Sequence, residues 1–172
     1  MWICFLMLLP GLVWAQQTKP VDKGQPKAAA KEKEKNEEAP IDFKKVIDEY
    51  YAAWNTMDPE KADKYYSKDA DLVFYDILPL KYGGWENYKN GVKTLLEPYS
   101  TFKLIPNEDL KVSRKGKIVW TTLTFHISGK MKDGKSLEID CRHTAIWEKT
   151  KGDWLIVHEH VSTPMPTTAP GK

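Results

Sequence analysis

With 172 residues the chain has room for one domain and its extensions. Its 26 basic and 24 acidic side chains leave a formal charge of +2, so no nucleic-acid or strongly acidic partner is expected on electrostatic grounds. The 7 Trp and 8 Tyr suit a large core or the wall of a ligand pocket, because their rings join apolar area to one polar edge.

Residues Met1 to Ala15 carry no charge, contain the run Phe5-Leu-Met-Leu-Leu9 and end in Val13-Trp14-Ala15. This is the pattern of a signal peptide ending in small residues, which implies a secreted or periplasmic protein. The stretch is too short to span a bilayer, which takes ~20 residues, so no stable membrane insertion is expected after cleavage. With Cys4 removed, only Cys141 remains, and its place within a strand suits a small buried hydrophobe. Residues 16–40 hold Pro20, Pro26, Pro40 and the run AAAKEKEKNEE but little apolar bulk, so they read as a disordered charged linker.

The domain is expected over 41–164, with a disordered tail at 165–172. Phe43, Val46, Ile47, Tyr50, Tyr51 and Trp54 repeat at helical spacing and predict an amphipathic helix. Asp58-Pro59 reads as an N-cap and first-turn proline for a short second helix ending near Tyr66. Asp71 to Asp76 reads as a strand. A third helix carries Trp85, Tyr88, Val92, Leu95 and Leu96 on one stripe, and Pro98 helps to end it. From Thr101 the period changes to that of strands: Thr101 to Ile105 continuing through Val112, then Lys117 to Ser128, Ser136 to Lys149 and Asp153 to Ser162. The turn signals are Lys115-Gly116, Lys132-Asp-Gly134 and Thr150-Lys-Gly-Asp153. This order predicts an α+β fold: three N-terminal helices packed on a strongly curved, mainly antiparallel sheet, with a cone-shaped cavity between them.

Strand parity assigns the faces. Asp140, Arg142 and Thr144 share one face, and Trp154, Ile156, His158, His160 and Ser162 share another. The last strands read as apolar on both sides, since Val119, Leu123, Phe125 and Ile127 share one parity and Leu155 and Val157 another. Helices on one face would leave the other to a second copy, so a homodimer is expected.

Three stretches resemble the nuclear transport factor 2-like superfamily: Tyr50 to Asp58, Tyr66 to Ala70, and Trp147 with Trp154-Leu-Ile-Val-His-Glu-His-Val-Ser162. The SnoaL-like and calcium/calmodulin-dependent kinase II association-domain-like branches are the most similar. The resemblance implies the cone fold, frequent homodimers and an internal pocket, but no single activity. Ketosteroid isomerases of this superfamily place an aspartate base where Asp76 stands and an oxyanion-hole tyrosine where Tyr50 or Tyr51 stands. Their protonated aspartate on a later strand falls here on Arg142-His143-Thr144 and is absent. The kinase association branch implies a cavity arginine near Ala145, where this chain has none, although Arg142 is close. Asp140 with Arg142 is similar to the acid–arginine pairing of the superfamily's epoxide hydrolases.

The candidate site is therefore Asp76 as base and Tyr50 as stabiliser, within a pocket of Trp54, Tyr75, Trp85, Trp120, Arg142, His158 and His160. Trp54, Tyr75, Trp85 and Trp120 also suit core positions. Asp76 also suits a strand-end turn, and Arg142 an ion pair with Asp140 or Glu138. His158 and His160 supply two ring ligands where zinc usually takes three or four, so no metal and no cofactor is expected. Three functions follow. One is binding of a small, partly apolar molecule, anionic if Arg142 faces inward. Another is proton-transfer or hydration chemistry at Asp76. The last is a dimeric assembly module with an incidental cavity.

Overall fold

The computed structural model describes residues 41–165. The expected signal peptide, linker and C-terminal tail fall outside the described residues, apart from Met165. Helix α1 spans Phe43–Trp54, and Asp42 caps it by accepting hydrogen bonds from the Lys44 and Lys45 N–H groups. The expected second helix is a 3₁₀ helix, Pro59–Tyr65, capped by Asp58 with Pro59 in its first turn. Helix α2 spans Gly84–Leu96. Among the described residues no helix is long and apolar enough to cross a membrane.

The strands are β1 (Val73–Tyr75), β2 (Tyr82–Gly83), β3 (Tyr99–Pro106), β4 (Lys111–Lys115), β5 (Ile118–Met131), β6 (Ser136–Thr150) and β7 (Asp153–Ser162). The run expected to continue from Thr101 through Val112 is two strands, broken where Asn107 N–H turns to Thr124 O. The first half of β5 pairs with β4 and the second half with β3. The sheet order is β2-β1-β7-β6-β5-β3; it is curved and unclosed. All pairings are antiparallel except β1 with β7, where Phe74 faces Glu159 and Tyr75 faces His160.

Two places rest on glycine. Lys151 and Gly152 both have positive φ, the geometry that lets a two-residue loop join β6 to β7 without splaying them. At Gly91, in α2, an added Cβ would come within 2.1 Å of the Tyr82 ring, so only glycine admits the ring there.

One face of the sheet holds the core. Phe43 packs edge-on against Trp147 and Trp154, with ring centroids 5.8 and 5.3 Å apart. Along β5, Val119, Leu123, Phe125 and Ile127 all point inward, while Trp120, Thr122, Thr124 and His126 point outward. Leu155 and Val157 are half-buried, off the core parity of Trp154 and Ile156. The outer face of β5 is thus more polar than a strand apolar on both sides would be.

Strand β7 departs from simple alternation. Ile146 pairs with His158, but Trp147 pairs with Ile156, so Val157 is an extra residue in the ladder. A bulge of this kind shifts side-chain parity by one. Before it, Trp154 and Ile156 point inward; after it, Glu159 and Val161 do.

Candidate functional site

Between the helices and the sheet lies a cavity of about 260 Å3. Helical spacing on α1 brings Tyr50, Tyr51 and Trp54 to its wall, and α2 adds Tyr88 and Val92. Phe102, Phe125 and Ile139 line it from the sheet. The polar groups are few: Asp76 just past β1, His143 on β6 and Glu159 on β7, with the tyrosine hydroxyls.

Glu159 anchors a buried network. Its side chain is 1% exposed, and that of His143 is 2% exposed. Tyr50 Oη donates to Glu159 Oε1 at 2.6 Å, and Tyr66 Oη donates to Oε2. The His143 ring stacks on Tyr50, with its Nδ1 3.0 Å from Tyr51 Oη. His143 Nε2 lies 3.0 Å from Glu159 Oε1, but the ring N–H misses the oxygen; the contact is electrostatic, not a formed hydrogen bond. Burial alone would raise the Glu159 pKa. His143 and the two tyrosine hydroxyls outweigh it and hold the carboxyl below its ordinary value. Burial likewise raises the pKa values of Tyr50 and Tyr66, so both stay protonated and both donate to the carboxylate.

Asp76 is the counterpart. Burial pushes its carboxyl up to about 6; the Ile77 N–H, donating to Oδ1 at 2.7 Å, opposes the rise, and the negative Glu159 reinforces it. One cavity thus holds a carboxyl that resists losing its proton and another that resists gaining one. Environments that push two titratable groups apart in this way separate acid–base roles.

Of the residues expected at the site, Asp76, Tyr50 and Trp54 line the cavity. Tyr50 is not free to stabilise an oxyanion, because its proton is committed to Glu159. The other six lie elsewhere. Arg142 is exposed on the outer face of β6, because inward parity on that strand belongs to Cys141, His143 and Ala145. The carboxylates expected beside Arg142 instead hold His126, with Asp140 2.8 Å from Nδ1 and Glu138 2.7 Å from Nε2. The β7 bulge turns His158 and His160 away from the cavity. His158 Nδ1 donates to Val73 O at 2.8 Å, and His160 is exposed. Tyr75, 39% exposed, sets its ring against both histidines. Trp85 is core: it stacks on Tyr66 at 4.0 Å and donates from Nε1 to Asp63 at 2.6 Å. Trp120 is 40% exposed on the outer face. Among the described residues, no group of three or more His, Cys, Asp or Glu is placed to hold a metal ion.

His143 and Glu159 were missed. For His143 the signal was available, since its neighbours at i−2 and i+2, Cys141 and Ala145, are apolar. For Glu159 the signal was fainter: Trp154 and Ile156 are out of phase with Val161, which only an extra residue between them reconciles.

Comparison with known proteins adds the fold relationships. A nuclear transport factor 2-like superfamily protein from Salmonella enterica serovar Typhimurium LT2 superposes with a TM-score of 0.66 at 20% identity, covering 76% of this chain and 94% of that one. A Xanthomonas campestris protein named for a calcium/calmodulin dependent protein kinase II association domain gives 0.61 at 24%, covering 73% and 86%. A type 2 hexachlorocyclohexane dehydrochlorinase gives 0.62 at 13%, covering 72% and 83%. These likenesses establish the fold and no activity. No curated protein matches the sequence. The SnoaL-like domain family matches residues 44–166, most of the chain, and the chain belongs to that family.

Proposed function

We propose that the domain binds a small, largely apolar molecule inside its cone, in a secreted or periplasmic setting. The observation that supports this most is the cavity of about 260 Å3, walled by aromatic and aliphatic side chains around a few convergent polar groups. On the scale by which a cavity of about 150 Å3 takes benzene, it suits roughly ten non-hydrogen atoms. Val92→Trp, which fills the cavity from α2, is expected to abolish binding of tert-butylbenzene measured by NMR titration. Undiminished binding by that variant would place the ligand elsewhere and overturn the reading. The setting rests on the uncharged apolar stretch Met1 to Ala15; a mature protein that retains that stretch would argue against it.

A second reading is supported by Asp76. A carboxyl with a pKa of about 6 is poised to exchange a proton near neutral pH, as a general base does. On this reading Asp76→Asn abolishes turnover while a ligand still binds; turnover that persists in the variant excludes Asp76 as the base. Two copies pairing through the outer sheet face around Trp120 remain part of the proposal, and a stable monomer in sedimentation at micromolar concentration would remove them.

A further inference from the structure

We propose that the ligand taken by the cone is a small organic cation, a protonated or quaternary amine with an apolar body, held by Asp76 as counter-ion and by the faces of the aromatic wall. The inference rests on the cavity reading above and names its ligand class.

The first observation is the charge inventory. The lining residues include two carboxyls, Asp76 and Glu159, and one imidazole, His143, but no lysine or arginine. With Asp76 ionised, the net charge of these three groups is −1 if His143 carries a proton and −2 if it does not. An anionic ligand was expected only if Arg142 faced the cavity, and Arg142 stands outside. A carboxylate ligand would meet two like charges in a space of low dielectric, with no lysine or arginine to offset them.

The second observation separates the two carboxyls. Glu159 is satisfied from inside the protein by Tyr50, Tyr66 and His143. Asp76 has one backbone N–H on Oδ1, with the Tyr88 hydroxyl and the His143 ring also lowering its pKa, but among the described residues no lysine or arginine forms an ion pair with it. It is a half-buried carboxyl with no lysine or arginine paired to it, and a bound ammonium would supply a counter-ion.

The third observation is the wall. Tyr51, Trp54, Tyr88 and Tyr99 line the same space. Aromatic faces around a desolvated ammonium attract it through their quadrupoles, and a carboxylate adds the long-range term. An apolar ligand would use the same wall, but it would leave the ionised Asp76 unpartnered.

Titration provides the internal control. The groups that act on Asp76 are Glu159 from β7, His143 from β6 and Tyr88 from α2, and Tyr82 and Cys141 in turn feel its charge. Tyr82, Tyr88 and Cys141 are all raised and stay neutral.

The experiment compares phenyltrimethylammonium with tert-butylbenzene, its neutral isostere, by NMR titration of wild type and Asp76→Asn at pH 7.5 and pH 5. The wild type is expected to bind the cation at least tenfold more tightly than the isostere at pH 7.5. That advantage should shrink about tenfold at pH 5, where a carboxyl titrating near 6 is largely protonated. In Asp76→Asn, confirmed folded by its melting transition, both the advantage and its pH dependence should vanish. Binding of the isostere without preference for the cation would overturn the cation inference and leave the cavity reading standing. Binding of neither compound would overturn both. A cation preference that survives Asp76→Asn would overturn Asp76 as its source, and so would a pH dependence that survives.

Discussion

The two faces of the sheet carry the same chemical pair in opposite circumstances. Inside, His143 and Glu159 are 2% and 1% exposed and depend on Tyr50, Tyr51 and Tyr66 to satisfy their polar atoms. Outside, His126 sits between Glu138 and Asp140, with side chains 35%, 55% and 80% exposed. Both ring nitrogens of His126 face carboxylates, which fits the imidazolium; the hydrogen bonds it donates to Asp140 and then to Glu138 raise its pKa. Water can replace either of those partners. Inside, nothing can, so each lost partner leaves a buried group unsatisfied. The comparison teaches that the energetic weight of a carboxylate–histidine pair comes from the water excluded around it, not from its geometry.

The sharpest way to break the comparison is Glu159→Ala. It removes the acceptor of two buried tyrosine hydroxyls and the carboxylate that His143 faces. The expected loss is about 3–5 kcal/mol of stability, read from chemical denaturation. A loss below about 1 kcal/mol would show that water already reaches the network.

Asp76→Asn tests the same face with the opposite sign. Because burial raises the folded-state pKa to about 6, ionisation costs the native state. The contribution of Asp76 is most favourable below the ordinary carboxylate range, is lost as the pH rises toward 6, and is level above that. Asn mimics the neutral form, so the variant should be more stable than wild type at pH 7.5 by about 2–3 kcal/mol. The gain should disappear near pH 4. A variant no more stable than wild type at pH 7.5 would mean that Asp76 is solvated, and it would weaken the cation argument too.

The smallest effect belongs to the outer face. His126→Gln should lower stability slightly at pH 6 in low salt, and not detectably in high salt, because exposed pairs are screened. The sign follows from a raised histidine pKa: the contribution is present below the ordinary histidine value and is lost as the pH rises through the raised one. A change as large as that of Glu159→Ala would show that this face is covered in solution, which is what pairing of two copies through it would do.

Much of the architecture was legible in the residues. The stripe from Phe43 to Trp54 marked α1, Asp58-Pro59 marked the next helix, and Thr150-Lys-Gly-Asp153 marked the last hairpin, because capping, helical period and turn conformation are decided by neighbours in the chain. The same stripe put Tyr50 and Trp54 on one helix face, while the roles given to Asp76 and Tyr50 came from the family resemblance. Strand faces were less secure. On β6 the alternation is unbroken, and the apolar neighbours of His143 already indicated the inner face. On β7 a strict alternation sends His158 and His160 inward and Glu159 outward, the reverse of what the structure holds. The extra residue at Val157 is set by how β7 meets β6 across the ladder, with Trp147 opposite Ile156 and Ile146 opposite His158. Because the side-chain period is two, that one-residue slip inverts every side chain beyond it. The chain by itself determined its helices and its turns. Only the register of β7 against β6 decided that a carboxylate, rather than two histidines, would stand behind the cavity.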